Sequence, residues 1–214
     1  MLELRITEIF LSLQGEANTV GRPTVFVRLT GCPLRCQYCD SAYAFSGGTM
    51  MRLDEIVDQV KGYKITHVTV TGGEPLAQPN AIELMERLVR DGFSVSIETS
   101  GALSVEHVPA AVVKVLDLKT PDSNESHRNL WSNLAFLNPQ DQIKFVLCSR
   151  TDYDWARMRC DEYGLFGKVG DVLFSPSHHE LAARDLADWI VADRLPVRMQ
   201  MQMHKLLWGD VPGR

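Results

Sequence analysis

Short apolar segments rich in β-branched residues alternate along this chain with segments whose apolar residues recur at helical spacing. The predicted strands cover 24–30, 67–71, 94–98, 112–118, 142–147 and 172–176. The helical patterns lie between several of them, at 53–60, 82–89, 152–163 and 181–191. Such alternation is typical of parallel strands joined by right-handed crossovers. The sequence therefore predicts an α/β fold with a mostly parallel sheet.

The number of these units limits the architecture further. Six strand–helix units are too few for a closed eight-stranded barrel, and an open, partial (β/α)6-like barrel fits 214 residues better. We expect one more strand or hairpin arm at 3–13, a last strand at 197–203 and an irregular polar stretch at 122–140. Without a linker or repeat, residues 1–214 are predicted to form a single domain.

Composition narrows the function and the compartment. A formal net charge of -5 argues against binding driven by nucleic-acid phosphates. No apolar stretch approaches the ~18 residues of a membrane span, and the first residues lack a signal-peptide pattern. Five cysteines in such a chain are expected to serve metal binding or catalysis in a reducing cytoplasm rather than disulfides. We therefore expect a cytoplasmic protein that binds neither nucleic acid nor membrane.

Three of the cysteines, Cys32, Cys36 and Cys39, follow the first core strand in a C-x3-C-x2-C spacing. A structural zinc site would need a fourth ligand nearby, and the other cysteines lie far away in a strand and a helix. A dithiol redox site would use Cys36 and Cys39 but leave Cys32 without a role. An iron–sulfur cluster held by three thiolates would leave one iron open to another ligand, and we favour this interpretation.

Polar residues also follow the other predicted strands, and parallel strands bring such ends to one edge of a sheet. The segments are Thr71–Glu74, Glu98–Ser100, Lys119 and Ser175–His179. Gly72 and Gly73 would let backbone approach a ligand closely, and the Glu74 carboxylate could accept a hydrogen bond from a ligand ammonium. Taken alone, this Gly-Gly-Glu segment favours an ordinary strand-to-helix turn, and only the cysteine loop on the neighbouring strand end reverses that preference.

The cysteine spacing followed one unit later by Gly-Gly-Glu-Pro resembles the radical S-adenosylmethionine (SAM) enzymes. The resemblance implies that the open iron of a [4Fe-4S] cluster chelates the amino and carboxylate groups of SAM. An electron from the cluster then cleaves the sulfonium to methionine and a 5′-deoxyadenosyl radical. In such enzymes the protein supplies positioning and excludes water.

Further segments resemble the 7-carboxy-7-deazaguanine synthases within that group. They are Leu13–Glu16, Phe26–Leu29, Tyr38–Ser41, Thr71–Leu76 and Glu98–Gly101. This resemblance runs from about residue 5 to the sixth core strand. It implies conversion of 6-carboxy-5,6,7,8-tetrahydropterin to 7-carboxy-7-deazaguanine with loss of ammonia, toward queuosine and other 7-deazapurines. It also implies a homodimer, Mg²⁺ as a cofactor, and an electron donor such as flavodoxin or ferredoxin.

The resemblance assigns roles to matching positions. It implies that Cys32, Cys36 and Cys39 bind the cluster, and that Tyr38, Cys39, Asp40, Gly73 and Ser100 hold SAM. Leu13, Gln14 and Gly15 are expected to contact the pterin, mostly through backbone, with Thr71 as a further substrate contact. Ser41 matches a magnesium ligand, as one protein oxygen with several waters is usual for Mg²⁺.

Three basic residues have competing interpretations. Arg28 is expected to bind the pterin carboxylate, because its planar guanidinium can do so bidentately; the alternative is a structural ion pair. Lys119 is a candidate SAM contact, with a solvated or ion-paired lysine as the alternative, and Lys144 is interpreted in the same way.

The chain departs from the family pattern in two places. Ala17 stands where the family commonly has glycine, which gives the backbone less freedom there. Pro212 is followed by Gly213 and Arg214, so the terminal-proline role of other members is not carried over.

His178 and His179 could approach the site, but Ser177 could instead cap a helix there. Met199, Met201 and Met203 alternate at strand spacing and are expected on one packed face.

Two rival hypotheses remain at this point: an activating radical enzyme that abstracts hydrogen from a partner protein, and a non-enzymatic zinc or redox module. Metal analysis after anaerobic purification separates the cluster from zinc. We expect iron and sulfide in about a 4:4 ratio per chain, since three thiolates suit a four-iron cluster. Stoichiometric zinc would contradict both radical hypotheses.

Overall fold

A single nine-stranded sheet organises the protein in the computed structural model, which describes residues 2–178, 180–211 and 213. Its order is β3-β1-β2-β4-β5-β6-β7-β8-β9. The strands are β1 (Glu3–Leu13), β2 (Pro23–Leu29), β3 (Thr49–Arg52), β4 (His67–Gly72), β5 (Ser94–Thr99), β6 (Val113–Asp117), β7 (Gln142–Leu147), β8 (Asp171–Pro176) and β9 (Arg198–Met199). Because β3 and β9 stand at opposite edges, the sheet is open.

Seven strands that follow one another in the sheet are parallel: β2, β4, β5, β6, β7, β8 and β9. Strand β1 is antiparallel to both of its neighbours, β2 and β3. This confirms the mostly parallel α/β fold and all six predicted core strands. The short edge strand β3 was not predicted, because its four residues carry no alternation of apolar and polar side chains.

The helices are α1 (Leu53–Gly62), α2 (Ala81–Arg90), α3 (Arg150–Tyr163), α4 (Ala183–Asp193) and α5 (Met203–Trp208). In the described chain, the connections from β5 to β6 and from β6 to β7 contain no α-helix. The second of these is the predicted irregular stretch, which forms short 3₁₀ turns between 121 and 136. The barrel is therefore abridged as well as open.

The predicted last strand at 197–203 is wrong for most of its length. Only Arg198 and Met199 pair with β8, and the chain then leaves the sheet, with the Met203 N–H donating to the Gly15 carbonyl oxygen at 3.0 Å. Met203 begins α5, so the three alternating methionines do not share a strand face. The predicted Ser177 helix cap is also wrong, because α4 begins at Ala183 and its capping position is Ala182.

Alternate residues on the central strands divide the molecule into a core and a cavity side. On β2, Val25, Val27 and Leu29 are fully buried in the apolar core with residues of α1 and α2. Phe26 and Arg28 face the opposite side, as the two-residue period of a strand requires. Cys148 and Cys160 are buried, as expected for thiols that pack as small hydrophobic groups.

No helix among the described residues is long and apolar enough to cross a membrane.

A buried ion pair joins two neighbouring strands at the end of the sheet opposite the site. Lys114 Nζ lies 2.9 Å from Asp141 Oδ2, and both side chains are essentially inaccessible to solvent. The other carboxylate oxygen accepts from the Lys114 N–H at 2.8 Å, so Asp141 holds the start of β6 by charge and by backbone.

Removing the cation should therefore leave an uncompensated buried carboxylate. We expect Lys114→Met to lower the free energy of unfolding by about 3 kcal/mol, measured by urea denaturation. Arg184→Met is the control, because Arg184 and Asp188 form an exposed pair on α4 whose loss should cost less than about 1 kcal/mol. Equal losses for the two variants would contradict the structural role of the buried pair.

Candidate active site

One cavity of about 410 Å³ lies on the side of the sheet opposite helices α1 to α4, where loops after the parallel strands and the short helix α5 meet. All fourteen residues predicted for the site line it. They are Leu13, Gln14, Gly15, Arg28, Cys32, Cys36, Tyr38, Cys39, Asp40, Ser41, Thr71, Gly73, Ser100 and Lys119. The volume suits small-molecule ligands.

The cysteine loop is anchored through its backbone. The Gly31 N–H donates to the Ala44 carbonyl at 2.8 Å, and the Cys39 N–H donates to the Cys36 carbonyl at 3.2 Å. The Arg35 N–H donates to Glu125 in the irregular stretch at 2.5 Å. The three thiols of this loop form no disulfides, and they are partly exposed on the cavity wall.

The three thiols suit an iron–sulfur cluster better than a single ion. Among the described residues, no three His, Cys, Asp or Glu side chains converge as ligands of one metal ion. The thiolates of an iron–sulfur cluster each bind a different iron atom, and together they surround a group that is larger than a single ion. Burial raises the pKa of all three thiols, that of Cys36 to about 11, so cluster binding must displace their protons.

Lys119 lies beside these thiols and is already paired. Its Nζ is 3.1 Å from Asp117 Oδ2, and it lies 5.9 Å from the centre of the Tyr38 ring. Burial opposes its charge, but Asp117 and the neighbouring Tyr38 and Cys36 raise its pKa well above the usual value. The structure therefore places Lys119 in the cavity and also confirms the ion-pair alternative.

Gly73 lies against the cysteine loop so closely that a side chain would not fit. A Cβ at this position would be 2.3 Å from the Gly31 carbonyl oxygen and 2.7 Å from the Cys32 Cβ. The next residue completes the contact, because the Glu74 N–H donates to the Gly31 carbonyl at 2.8 Å. Glycine is thus required for the approach of two backbones.

The Glu74 carboxylate does not face the cavity, so its predicted contact with a ligand ammonium is wrong. It is fully buried and accepts hydrogen bonds from the Thr99 hydroxyl, the Ser100 N–H at 2.7 Å and the Ser100 hydroxyl at 2.5 Å. It also accepts from the Leu76 N–H. Glu74 therefore joins the end of β4 to the end of β5, and it fixes the Ser100 hydroxyl.

The loop after β1 forms the opposite wall. Gln14 donates through Nε2 to Thr69 at 3.2 Å and to Glu98 at 3.3 Å, and its backbone N–H and carbonyl are both used within the loop. Ala17 has a left-handed φ of 60°, the conformation that the family's glycine adopts without strain. The Gln14 backbone thus shapes the loop as well as lining the cavity.

Arg28 forms the ion pair of its alternative interpretation, and its binding of a carboxylate ligand stays a prediction. Its Nε lies 2.7 Å from Glu8 Oε1, and the residue also lines the cavity. On the neighbouring strand, the Thr71 hydroxyl donates to Glu98 Oε2 at 3.2 Å. Ser41 donates to Asp40 Oδ1 at 2.9 Å, which leaves its oxygen lone pairs available.

Several cavity residues have partners that the sequence does not specify. A buried ion pair joins Lys144 on β7 to Glu16, and Gln202 donates to Glu16 at 2.8 Å and to Asp40 at 3.1 Å. Lys205 pairs with Asp40 at 3.1 Å. The C-terminal segment thus bridges two loops that are far apart in sequence. The only signal for these residues is their polarity, which does not specify a partner.

The charges inside the cavity have displaced pKa values. Burial and the neighbouring Glu16 raise the pKa of Glu98. Burial acts in the same direction on Glu16, but its contact with Lys144 lowers that pKa below the usual value. Burial opposes ionisation of Asp40 too, and Lys205 overcomes it to hold the pKa well below the ordinary range. Neighbouring carboxyl groups of one cavity therefore have pKa values displaced in opposite directions.

His178 also lines the cavity, whereas His179 lies outside the described residues. Gly213 lines it as well, and Pro212 and Arg214 are not among the residues described.

Comparisons with known proteins agree with this arrangement. Residues 26–117 match the sequence profile of the Radical SAM superfamily. The chain is 45% identical to 7-carboxy-7-deazaguanine synthase of Koribacter versatilis, covering 96% of this chain and 97% of that one. It is 42% identical to the synthase of Chlorobaculum tepidum, with 96% and 94% covered. The crystal structure of QueE from Escherichia coli shares the fold, with a TM-score of 0.76, 24% identity and 95% and 96% covered.

The contact between Gly73 and the cysteine loop gives a direct test. We expect Gly73→Ala to displace Cys32 and to reduce the iron bound after anaerobic reconstitution at least severalfold, because a methyl group cannot fit at 2.3 Å. Gly62→Ala is the matched control, since a Cβ there would have no atom within 4 Å. Normal iron content in Gly73→Ala would show that the close contact is not required.

Proposed function

Because the chain belongs to the 7-carboxy-7-deazaguanine synthase family of radical SAM enzymes, we propose that this cavity converts 6-carboxy-5,6,7,8-tetrahydropterin to 7-carboxy-7-deazaguanine with release of ammonia. Such a reaction belongs to queuosine and 7-deazapurine biosynthesis. The observation that carries the proposal is that the thirteen residues to which the resemblance assigns a role line one cavity, together with Lys119.

The residues present fit the cofactors of the family. Cys32, Cys36 and Cys39 would hold a [4Fe-4S] cluster. SAM would be held by other residues that line the same cavity, with Cys39 among them: Tyr38, Cys39, Asp40, Gly73, Ser100 and Lys119. When bound, the cluster would supply the electron for reductive cleavage of SAM. The protein contributes the close contact between Gly73 and the cysteine loop, and a Ser100 hydroxyl that Glu74 holds in place.

The opposite wall suits the pterin. Arg28 offers a guanidinium to the carboxylate, and Leu13, Gln14, Gly15 and Thr71 border the same space. Glu98 accepts from Thr71 and Gln14, and burial together with the neighbouring Glu16 raises its pKa. Departure of ammonia requires proton transfer, and Glu98 is a titratable group that lines the same cavity.

We further propose that Mg²⁺ binds at Ser41. One hydroxyl oxygen with substrate and water oxygens satisfies the preference of this ion for oxygen ligands. The same proposal includes a homodimer, a small electron-transfer protein such as flavodoxin or ferredoxin as the electron donor, and a cytoplasmic location.

The reconstituted enzyme tests the proposal. With SAM, Mg²⁺, dithionite and carboxytetrahydropterin under anaerobic conditions, we expect 7-carboxy-7-deazaguanine and ammonia in equal amounts, quantified by mass spectrometry. Cys39→Ala should abolish product because the cluster loses a ligand, whereas Cys160→Ala changes a thiol outside the cavity and should retain activity if it folds. No product from an enzyme with full iron and sulfide would refute the proposal. Product from the small molecule alone would dismiss the activating-enzyme hypothesis, which needs a partner protein.

A further inference from the structure

Glu8 on β1 has no assigned role, but it contacts two residues that line the cavity. Its Oε1 accepts from Arg28 Nε at 2.7 Å and from the Tyr43 hydroxyl at 2.8 Å. Tyr43 belongs to the 3₁₀ turn that follows the cysteine loop. One carboxylate oxygen therefore joins β2 to the segment after the cysteine loop.

A β-bulge explains why a carboxylate reaches this side of the sheet. Ile6 is opposite Leu29 and Glu8 is opposite Arg28, so two steps on β1 match one step on β2. Before the bulge, Leu4 and Ile6 point into the apolar core. Without it, Glu8 would share their face, since alternate residues of a regular strand point the same way. The extra residue turns Glu8 toward the cavity side.

The Arg28 guanidinium is held from several directions. Its carbon lies 5.9 Å from the centre of the Phe10 ring and 5.7 Å from that of Tyr43. Phe10 in turn stacks on Phe26 at 5.1 Å. Because Glu8 engages Nε, a carboxylate ligand would be bound by the two terminal nitrogens, Nη1 and Nη2.

We propose that Glu8 is a positioning residue that fixes the Arg28 guanidinium so that its terminal N–H groups select the 6-carboxylate of the pterin. This inference rests on the proposed function and extends it to substrate specificity. The charge of Glu8 also opposes that of Arg28, so a positional role and a purely electrostatic role predict opposite effects when Glu8 is removed. A positioned guanidinium binds better than a free one, whereas charge alone predicts tighter anion binding without Glu8.

Two substitutions separate these roles. Glu8→Leu removes the acceptor and the charge, and we expect it to raise the KM for carboxytetrahydropterin about tenfold with a smaller change in kcat, as for a lost hydrogen bond to a charged group. Glu8→Gln keeps an acceptor oxygen of similar reach without the charge, and its KM should stay within about threefold of the wild type. If both variants lower KM, the role is electrostatic and the inference is wrong.

A substrate analogue makes the test specific. Tetrahydropterin without the 6-carboxylate has nothing for Arg28 to orient, so its dissociation constant, measured by anaerobic calorimetry, should be the same in Glu8→Leu and wild type. Glu3→Leu is the matched control, since Glu3 is an exposed residue on the same strand. An equal loss of affinity for the analogue and for the substrate would indicate general damage to the cavity and would overturn the inference.

The design distinguishes failure of the inference from failure of the proposed function. Absence of product from the wild type refutes the function, while calorimetry still compares the acid with its analogue. If the wild type does not prefer the acid, the inference fails too. If Glu8→Leu does not fold, Tyr43→Phe removes one hydroxyl from a half-exposed side chain and should weaken acid binding about threefold. Unchanged affinity there would contradict the proposal.

Discussion

The close approach of two backbones, at Gly73 and at Gly31, is the contact on which the site depends. Parallel pairing brings Leu29 opposite Gly72, so the loops after β2 and β4 begin at the same level of the sheet. The missing side chain at Gly73 then lets the cysteine loop rest on the end of β4. Glu74 extends the same contact to β5 through Thr99 and Ser100. At this point the cysteine loop is thus supported by a main-chain contact that no change of rotamer can alter.

Three cationic side chains that line the cavity are each paired with a carboxylate. Lys144 is paired with Glu16, Lys119 with Asp117, and Arg28 with Glu8. Withdrawing such charges from water is costly unless each has a partner. The ion pairs stabilise a polar cavity against one face of the sheet. They also keep long cationic side chains oriented before a ligand arrives. Preorganised groups of this kind need less rearrangement when charge develops during a reaction.

The parts of the fold that follow from local pattern were predictable from the sequence. The six core strands and the cysteine loop are each specified by a few adjacent residues, and the parallel arrangement brings their ends together. The network around Glu16 was not predictable, because Lys144 and Gln202 approach it from distant parts of the chain. Glu74 was predictable only in part. Its position in the Gly-Gly-Glu motif is specified locally, but its carboxylate is buried and serves as a structural hydrogen-bond acceptor rather than as the predicted ligand contact.

The bridge from Gln202 to Glu16 and Asp40 has a consequence for how the protein is made. It joins residues separated by 186 and 162 positions, so the wall of the cavity closes only after nearly the whole chain has left the ribosome. Contacts of such long sequence separation form late and slowly, because loop-closure entropy opposes them. During synthesis the three thiols therefore lie beside an unfinished cavity wall, which is completed only when α5 brings Lys205 to Asp40.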